Sequence, residues 1–490
     1  MKKAVVIGAG IGGIAAAIRL ARKGYHVHVF ESASGPGGKL SQFVQNGFRF
    51  DRGPSLFTLP ANMRELFDLC DENMEDHFSY SSLQTLCKYF YEDGTTFEAK
   101  SDLESNVLAI AKVFGEEEHL VRKFFQDAAF IYETTAPLFL ERPLKLNKLF
   151  WTSDFWKGIF RIPQLPLRGN YTQQLSKYFK NPKTIQYFQR YATYNGSSPY
   201  KTPALMQLMP HVEQGIGAFI PDKGMFDITM QLVALAERQG VVFHYNSKVK
   251  RINLDANLVT GITLEDGSVQ SADVVVSNMD VFPTYKRLLP HAKQPKVILN
   301  QEKSSSALIF YWGMNRRFEQ LDVHNILFSA DYKSEFHCLF ESKTLSEDPT
   351  VYIHITSKHI SADAPANGEN WFVMINVPHR TTENWKDWEP IMRERILQKI
   401  ERQLAVKVRD HIVSESSWNP EGIENDTSSH LGALYGNASN SASAAFFRHA
   451  NQSRQFSNLF FVGGSVHPGG GVPLAILSAK TMSEFLPTNE

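Results

Sequence analysis

The hydrophobic pattern changes period within the first stretch of the chain, MKKAVVIGAGIGGIAAAIRL. Val5-Val6-Ile7 is a β-branched run that reads as a buried strand, and Ile14, Ile18 and Leu20 then recur at helical spacing. Between them stand Gly8, Gly10 and Gly13. Two lysines, an apolar run and the Ala15-Ala16-Ala17 triplet also resemble a secretion signal, but glycines at this spacing between a strand and a helix predict a folded βα unit instead. After a turn at Gly24, the run HVHVF predicts a second strand ending on Glu31. Further strands are expected at Phe48 to Asp51, before a Gly53-Pro54 turn, and near Val249, after a Gly224 turn and an amphipathic helix. The buried-looking ADVVVSN follows. The far end, NLFFVGGSVHPGGGVPLAILSAK, reads as a strand from Leu459 to Val462, two glycine loops and a helix.

G-x-G-x-x-G between strand and helix carries a mechanical meaning. Gly8 makes the turn, Gly10 lets a pyrophosphate approach the backbone, and Gly13 lets helix pack on strand; the helix N-terminus offers free N–H groups to phosphate. Glu31 stands about 20 residues past the loop, where a carboxylate binds ribose hydroxyls and repels the 2′-phosphate of NADP. A dinucleotide site is the expectation.

Composition adds exclusions. With 490 residues, 43% apolar and 21% charged, the chain can bury more than one core and should hold two domains. Its 51 basic and 51 acidic residues balance, so no global field favours nucleic acid. Cys70, Cys87 and Cys338 are scattered, which fits a reducing compartment and provides neither a disulfide framework nor a zinc site. His26 and His28 lie at strand spacing with no third ligand nearby, and no metal is expected. No apolar run reaches the roughly 20 residues that span a bilayer, so an integral membrane protein is not expected. Phenylalanine, at 35 copies, points to a large apolar interior or cavity.

Directly after Glu31 comes SASGPGGKL, with the doublet Gly37-Gly38 and the cation Lys39. This resembles the glycine-pair motif of the large flavoprotein family that includes amine oxidases, protoporphyrinogen oxidases and carotenoid desaturases. The resemblance implies FAD as cofactor, with Gly53, Pro54 and Ser55 of GFRFDRGPS bringing backbone near the isoalloxazine and Val249 contacting adenine through backbone groups. At the far end, most of that superfamily carries an acidic residue for the ribityl chain, whereas here Gly464 is followed by Ser465. That departure, with His467-Pro468-Gly469-Gly470-Gly471-Val472, is similar to the bacterial and fungal carotenoid desaturases. The resemblance implies that the helix after Gly471 aims its N–H groups at the flavin's pyrimidine edge. ALIFYWGMN from Ala307 and the VPH ending at His379 also resemble that subfamily.

The fold class implied is α/β: a discontinuous Rossmann-like FAD-binding domain from residues 1–70, 215–285 and 425–490, with an α+β substrate-binding domain from 71–214 and 286–424. The activity implied is FAD-dependent desaturation of an acyclic carotenoid by hydride transfer. The chain reads Leu56-Phe57-Thr58-Leu59-Pro60 where phytoene desaturases tend to read W-Y-W-M-P, which favours a later-acting 1-hydroxycarotenoid 3,4-desaturase. Phytoene desaturase is the near alternative, carotenoid isomerase or retinoid saturase a further one, and a non-enzymatic prenyl-lipid binding protein the alternative of another class. Hydrocarbon chemistry needs few polar residues, so the sequence names no base; His467 is a candidate for orienting or accepting a proton, or is bonded to nearby backbone. Asp51 and Arg52 read as a loop pair or as backbone contacts to flavin, and Ser439, Ser441 and Ser443 as a flexible loop. Residues 142–168 carry six basic residues against Asp154, interleaved with Trp151, Trp156 and three phenylalanines. That composition fits an interfacial segment on anionic lipid, or an amphipathic core helix. The location expected is the cytoplasm, peripheral to the inner face of the plasma membrane; the oligomeric state is open.

Overall fold

Alternation within the opening strand decides the layers. A computed structural model describes residues 1–140, 161–379, 384–441, 444, 445 and 447–488. In it β1 (Lys3–Ile7) sends Ala4 and Val6 to one core and Val5 and Ile7 to another, the period-two behaviour of a strand buried on both faces. It runs into α1 (Ile11–Arg22) and then β2 (His26–Phe30). Later segments add α2 (Phe226–Arg238), β3 (Val242–His244), β4 (Val274–Ser277), β5 (Leu459–Phe461) and α3 (Val472–Ser483). The five strands form one parallel sheet in the order β3-β2-β1-β4-β5. Helices cover one face, with α1 against α2 and α3. A three-stranded antiparallel sheet, Val249–Asp255, Leu258–Leu264 and Val269–Ser271, packs on the other.

Two differences from the expected elements follow from local geometry. The strand expected to end near Val249 stops at His244, and Val249 opens a separate antiparallel strand paired with Leu264. Asp51 and Arg52 do not pair with each other: Asp51 accepts from the backbone N–H groups of Met225 and Phe226 at the start of α2 and pairs with Arg49, while Arg52 pairs with Asp426 and lies over the Trp418 ring.

A second, seven-stranded sheet runs in the order Ile412–Trp418, Ser306–Met314, Glu369–Val377, Val351–Ile355, His324–Leu327, Thr85–Phe90, Thr96–Lys100. One face is mostly apolar and packs under the helix Trp385–Leu404 through Trp312, Val351, Ile353, Trp371 and Val373. The other carries rings: Tyr89, Tyr311, His324, Tyr352, His354 and Phe372. Arg49 ties the halves together, bonding Asp363 at 2.6 Å through both Nε and Nη2 while Asn370 donates to its carbonyl at 2.6 Å.

Candidate functional site

The parallel sheet reverses direction of strand order at β1, whose neighbours are β2 and β4, and open α/β sheets bind ligands at such a switch point beyond the C-terminal strand ends. A cleft of about 330 Å³ lies there. Its wall includes Gly8, Gly10, Glu31, Gly37, Gly38, Lys39, Pro54, Val249, Gly464, Ser465, Gly471 and Val472, drawn from segments far apart in sequence.

The glycines fall into two kinds. Gly13 is a packing glycine: a Cβ there would stand 2.1 Å from the Gly8 carbonyl oxygen, so only glycine lets α1 close on the turn. Gly53 is similar, 2.2 Å from the Lys39 carbonyl oxygen. Gly37, at φ +113°, continues the first loop by donating its N–H to Ala9 at 2.8 Å. Gly471, at φ +109°, has open space where a Cβ would be. Gly470 does not: its Cβ would meet Tyr435 at 2.8 Å, so of the two it is Gly471 that faces the cleft.

Glu31 is held rigidly at the end of β2. One carboxylate oxygen accepts from Ala9 N–H at 2.8 Å, the other from Ala33 N–H at 2.9 Å and the Ser32 hydroxyl at 3.1 Å. Lys39 is partly buried and donates to the Leu434 carbonyl at 2.7 Å. Burial pulls its pKa down to about 8, against the opposing charge of Asp280. Ser465, which follows Gly464, accepts from the Val281 N–H at 3.1 Å. Ser55 points away, 2.8 Å from the Tyr352 hydroxyl. His467 is 4% exposed, outside the cleft wall, with its N–H donated to the His449 carbonyl and its carbonyl accepting from Asn451. Ser439 is buried and accepts from Arg448, which is a packed position and not a flexible loop; Ser443 lies outside the described residues. So does most of the basic-aromatic segment, of which residues 161–168 are described. His26, His28 and His244 form a hydrogen-bonded string across β2 and β3, and no metal-holding cluster occurs among the described residues.

Asn278 is the residue sequence reasoning missed. It follows β4, donates from Nδ2 to the Gly8 carbonyl at 3.4 Å, and occupies the space that side chains at Gly10, Gly12 and Gly463 would need, at 2.7 to 2.8 Å. Both glycine loops thus make room for one amide. The signal was present: a polar residue at the carboxyl end of a fully buried parallel strand. Asp280, Arg287 and Tyr435 also line the cleft and were not singled out.

These features fit a bound dinucleotide. Both helices that begin at the cleft, α1 after Gly10 and α3 after Gly471, lack a side-chain cap among the described residues and carry no acidic residue in the first turn. Their terminal N–H groups and dipoles are therefore free for a phosphate and for an electron-rich ring edge. The fold and the site define a dinucleotide-binding protein of the α/β class.

The chain belongs to the flavin containing amine oxidoreductase family, whose model matches residues 11–484. Its cofactor is FAD. A 1-hydroxycarotenoid 3,4-desaturase from Flavobacterium sp. (strain P99-3) is 50% identical over 487 residues, covering 99% of each chain. A 4,4'-diaponeurosporene oxygenase from Staphylococcus haemolyticus (strain JCSC1435) is 32% identical over 99% of this chain and 96% of that one. Among solved structures, an oxidoreductase from Methanosarcina mazei superposes with a TM-score of 0.67 at 16% identity, covering 98% of this chain and all of that one, a likeness of fold.

Proposed function

We propose that the protein desaturates an acyclic 1-hydroxycarotenoid between C3 and C4, extending the conjugated chain by one double bond. The observation that carries this reading is the 50% identity, over 99% of both chains, to a desaturase of that name. When bound, FAD supplies the two-electron acceptor for such a dehydrogenation. The chain's own part is to bind, orient and exclude water. The two glycine loops and Glu31 would hold the cofactor's phosphates and ribose, and Lys39 places a positive charge in the same cleft.

Reconstituting the protein with FAD and supplying liposomes that contain the hydroxylated pigment tests the reading. The product should lose two hydrogens, gain no oxygen and absorb at longer wavelength. A product carrying a new oxygen would favour the activity named for the 32% identical relative, and unchanged pigment would overturn both.

Residues 142–168 we assign to contact with the anionic surface of the membrane that holds such a pigment, on the cytoplasmic side. Supporting this are the segment's six basic residues and its tryptophans. At its described end, Ile162 and Leu167 are exposed beside Arg161 and Arg168.

A further inference from the structure

The seven-stranded sheet contains a polar group that neither packing nor cofactor binding accounts for. His324 and His354 are opposite residues of adjacent antiparallel strands, their rings stacked at 4.6 Å with an interplanar angle of 6°. Both side chains are almost wholly buried, at 3% and 2% exposure. The Nε2 atom of each has no hydrogen-bond partner among the described residues. Buried polar atoms are nearly always paired, so two neighbouring orphans in one place call for a ligand.

The pair is wired to the cofactor cleft. His324 Nδ1 lies 2.7 Å from the Tyr352 hydroxyl, which lies 2.8 Å from Ser55 Oγ. Ser55 follows Pro54, which lines the cleft. A hydrogen-bonded chain therefore runs from the cleft edge onto the aromatic face of the sheet and ends at His324, on whose ring His354 stacks. We propose that His324 and His354, positioned by Tyr352 and Ser55, receive the tertiary hydroxyl of the substrate and set the enzyme's preference for a hydroxylated end group.

The inference rests on the reading of the substrate given above, and the chemistry of that substrate dictates where its hydroxyl must be read. The hydroxyl sits on C1 and the new double bond starts at C3, so the group that binds it has to stand beside the cofactor and not at the far end of a long polyene. Residues joined to the Pro54 turn meet that condition. The pair also suits a neutral ligand. Burial, with the His354 ring and the Arg190 charge close by to oppose protonation, holds His324 well below the ordinary histidine range, and burial with the Arg49 charge pulls His354 to about 3. Neutral imidazoles each keep one donor and one acceptor, matching a hydroxyl that both donates and accepts. They place no cation against the polyene.

The test compares the hydroxylated pigment with the same acyclic polyene lacking the hydroxyl, using the FAD-loaded full chain. Two readouts are taken: the KM and kcat for each pigment, and equilibrium binding of each to the holoenzyme in detergent. Sites that hydrogen-bond a substrate hydroxyl discriminate steeply against its absence, so wild type should prefer the hydroxylated pigment. His354→Leu and His324→Leu should raise its KM at least tenfold with little change in kcat, leave the deoxy pigment unaffected or improved, and bring the binding preference toward unity. Tyr352→Phe, which deletes one hydroxyl and keeps the ring, gives a milder shift in the same direction and serves if a leucine variant fails to fold. Retained FAD and melting temperature establish folding in each case. A folded variant with the wild-type preference, or a wild type indifferent to the hydroxyl, overturns the inference while leaving desaturation intact. If wild type turns over neither pigment, the proposed activity fails; the binding arm then still decides, a preference lost in the variants upholding the inference and no preference ending it.

Discussion

The Lys39 ammonium donates to the Leu434 carbonyl at 2.7 Å, joining two residues 395 apart in sequence across the cofactor cleft. Burial lowers its pKa from 10.5 to about 8, with Asp280 opposing. Without cofactor, burying the charged form is a penalty that is full below pH 8 and fades as pH rises from 8 towards 10.5, so this group's contribution to the stability of the cofactor-free chain improves across that window. The phosphates of bound FAD reverse the preference, because negative charge in the cleft favours protonated lysine. FAD binding should therefore take up a proton above pH 8, and affinity should fall with rising pH by up to about tenfold per unit. Fluorescence titration of FAD from pH 7 to 10 measures this. Lys39→Met should flatten the profile; an identical slope in that variant would assign the pH dependence elsewhere.

Asn278 offers a sharper test of the cleft, since its amide fills the space between both glycine loops. Asn278→Asp keeps the size and adds a negative charge next to the loop that receives the pyrophosphate. FAD affinity should drop at least tenfold, with a smaller change in melting temperature. Asn278→Ala, which leaves a hole without adding charge, should weaken binding less. Equal losses for the two would mean that shape and not charge governs the contact.

The loop glycines should separate by what a methyl group would strike. Gly13→Ala drives Cβ to 2.1 Å from the Gly8 carbonyl, a backbone atom that cannot move alone. Overpacking of this kind typically costs about 1–3 kcal/mol and occasionally more, so the protein should lose stability along with FAD. Gly10→Ala meets only the end of the Asn278 side chain, at 2.7 Å. That variant should fold, with a near-native thermal transition, and lose FAD affinity. Thermal unfolding beside flavin absorbance tells the two cases apart.

Much of this site was legible because its parts are local. The turn at Gly8, the strand ending at Glu31 and the loop before α3 each announce themselves within a dozen residues, since strand, glycine and helix have different periods. What stayed hidden depends on packing between distant segments. Asn278 matters only because β4 lies beside β1, and the separation of Gly470 from Gly471 appears only once Tyr435 is placed. The His324–His354 pair is formed by strand register, and two histidines 30 residues apart carry no sequence signal of it. His467 drew attention by its neighbours in the motif, but it is not among the residues that line the cleft.

Membrane contact is tested by charge reversal. Replacing Lys145, Lys148 and Lys157 by glutamate should reduce cosedimentation with vesicles containing anionic lipid, each basic residue near such a surface contributing about 1 kcal/mol. Binding of wild type should weaken with salt, and neutral vesicles should bind neither form. Binding that ignores both the substitutions and salt would return the segment to the reading of an amphipathic core helix.

The two glycines before α3 give the most discriminating prediction for turnover. At Gly470 a Cβ would stand 2.8 Å from the Tyr435 Cβ and 3.0 Å from its Cα, so Gly470→Ala must displace a backbone segment that also lines the cleft. The opposite half of the cleft, from Gly8 to Glu31, is untouched, and FAD should remain bound. Turnover should nonetheless fall by one or more orders of magnitude, because reaction requires partners held about 3–3.5 Å apart and in line. Gly471→Ala meets no atom within 4 Å but must hold φ at +109°, a conformation that L side chains rarely adopt. It costs on the order of 1–3 kcal/mol of strain and adds a methyl group on the open side of the loop. Its signature should be a lowered melting temperature together with weakened FAD. A yellow but slow Gly470→Ala beside a flavin-poor Gly471→Ala would place the helix start at the cofactor; full turnover in both would remove this loop from the reacting face.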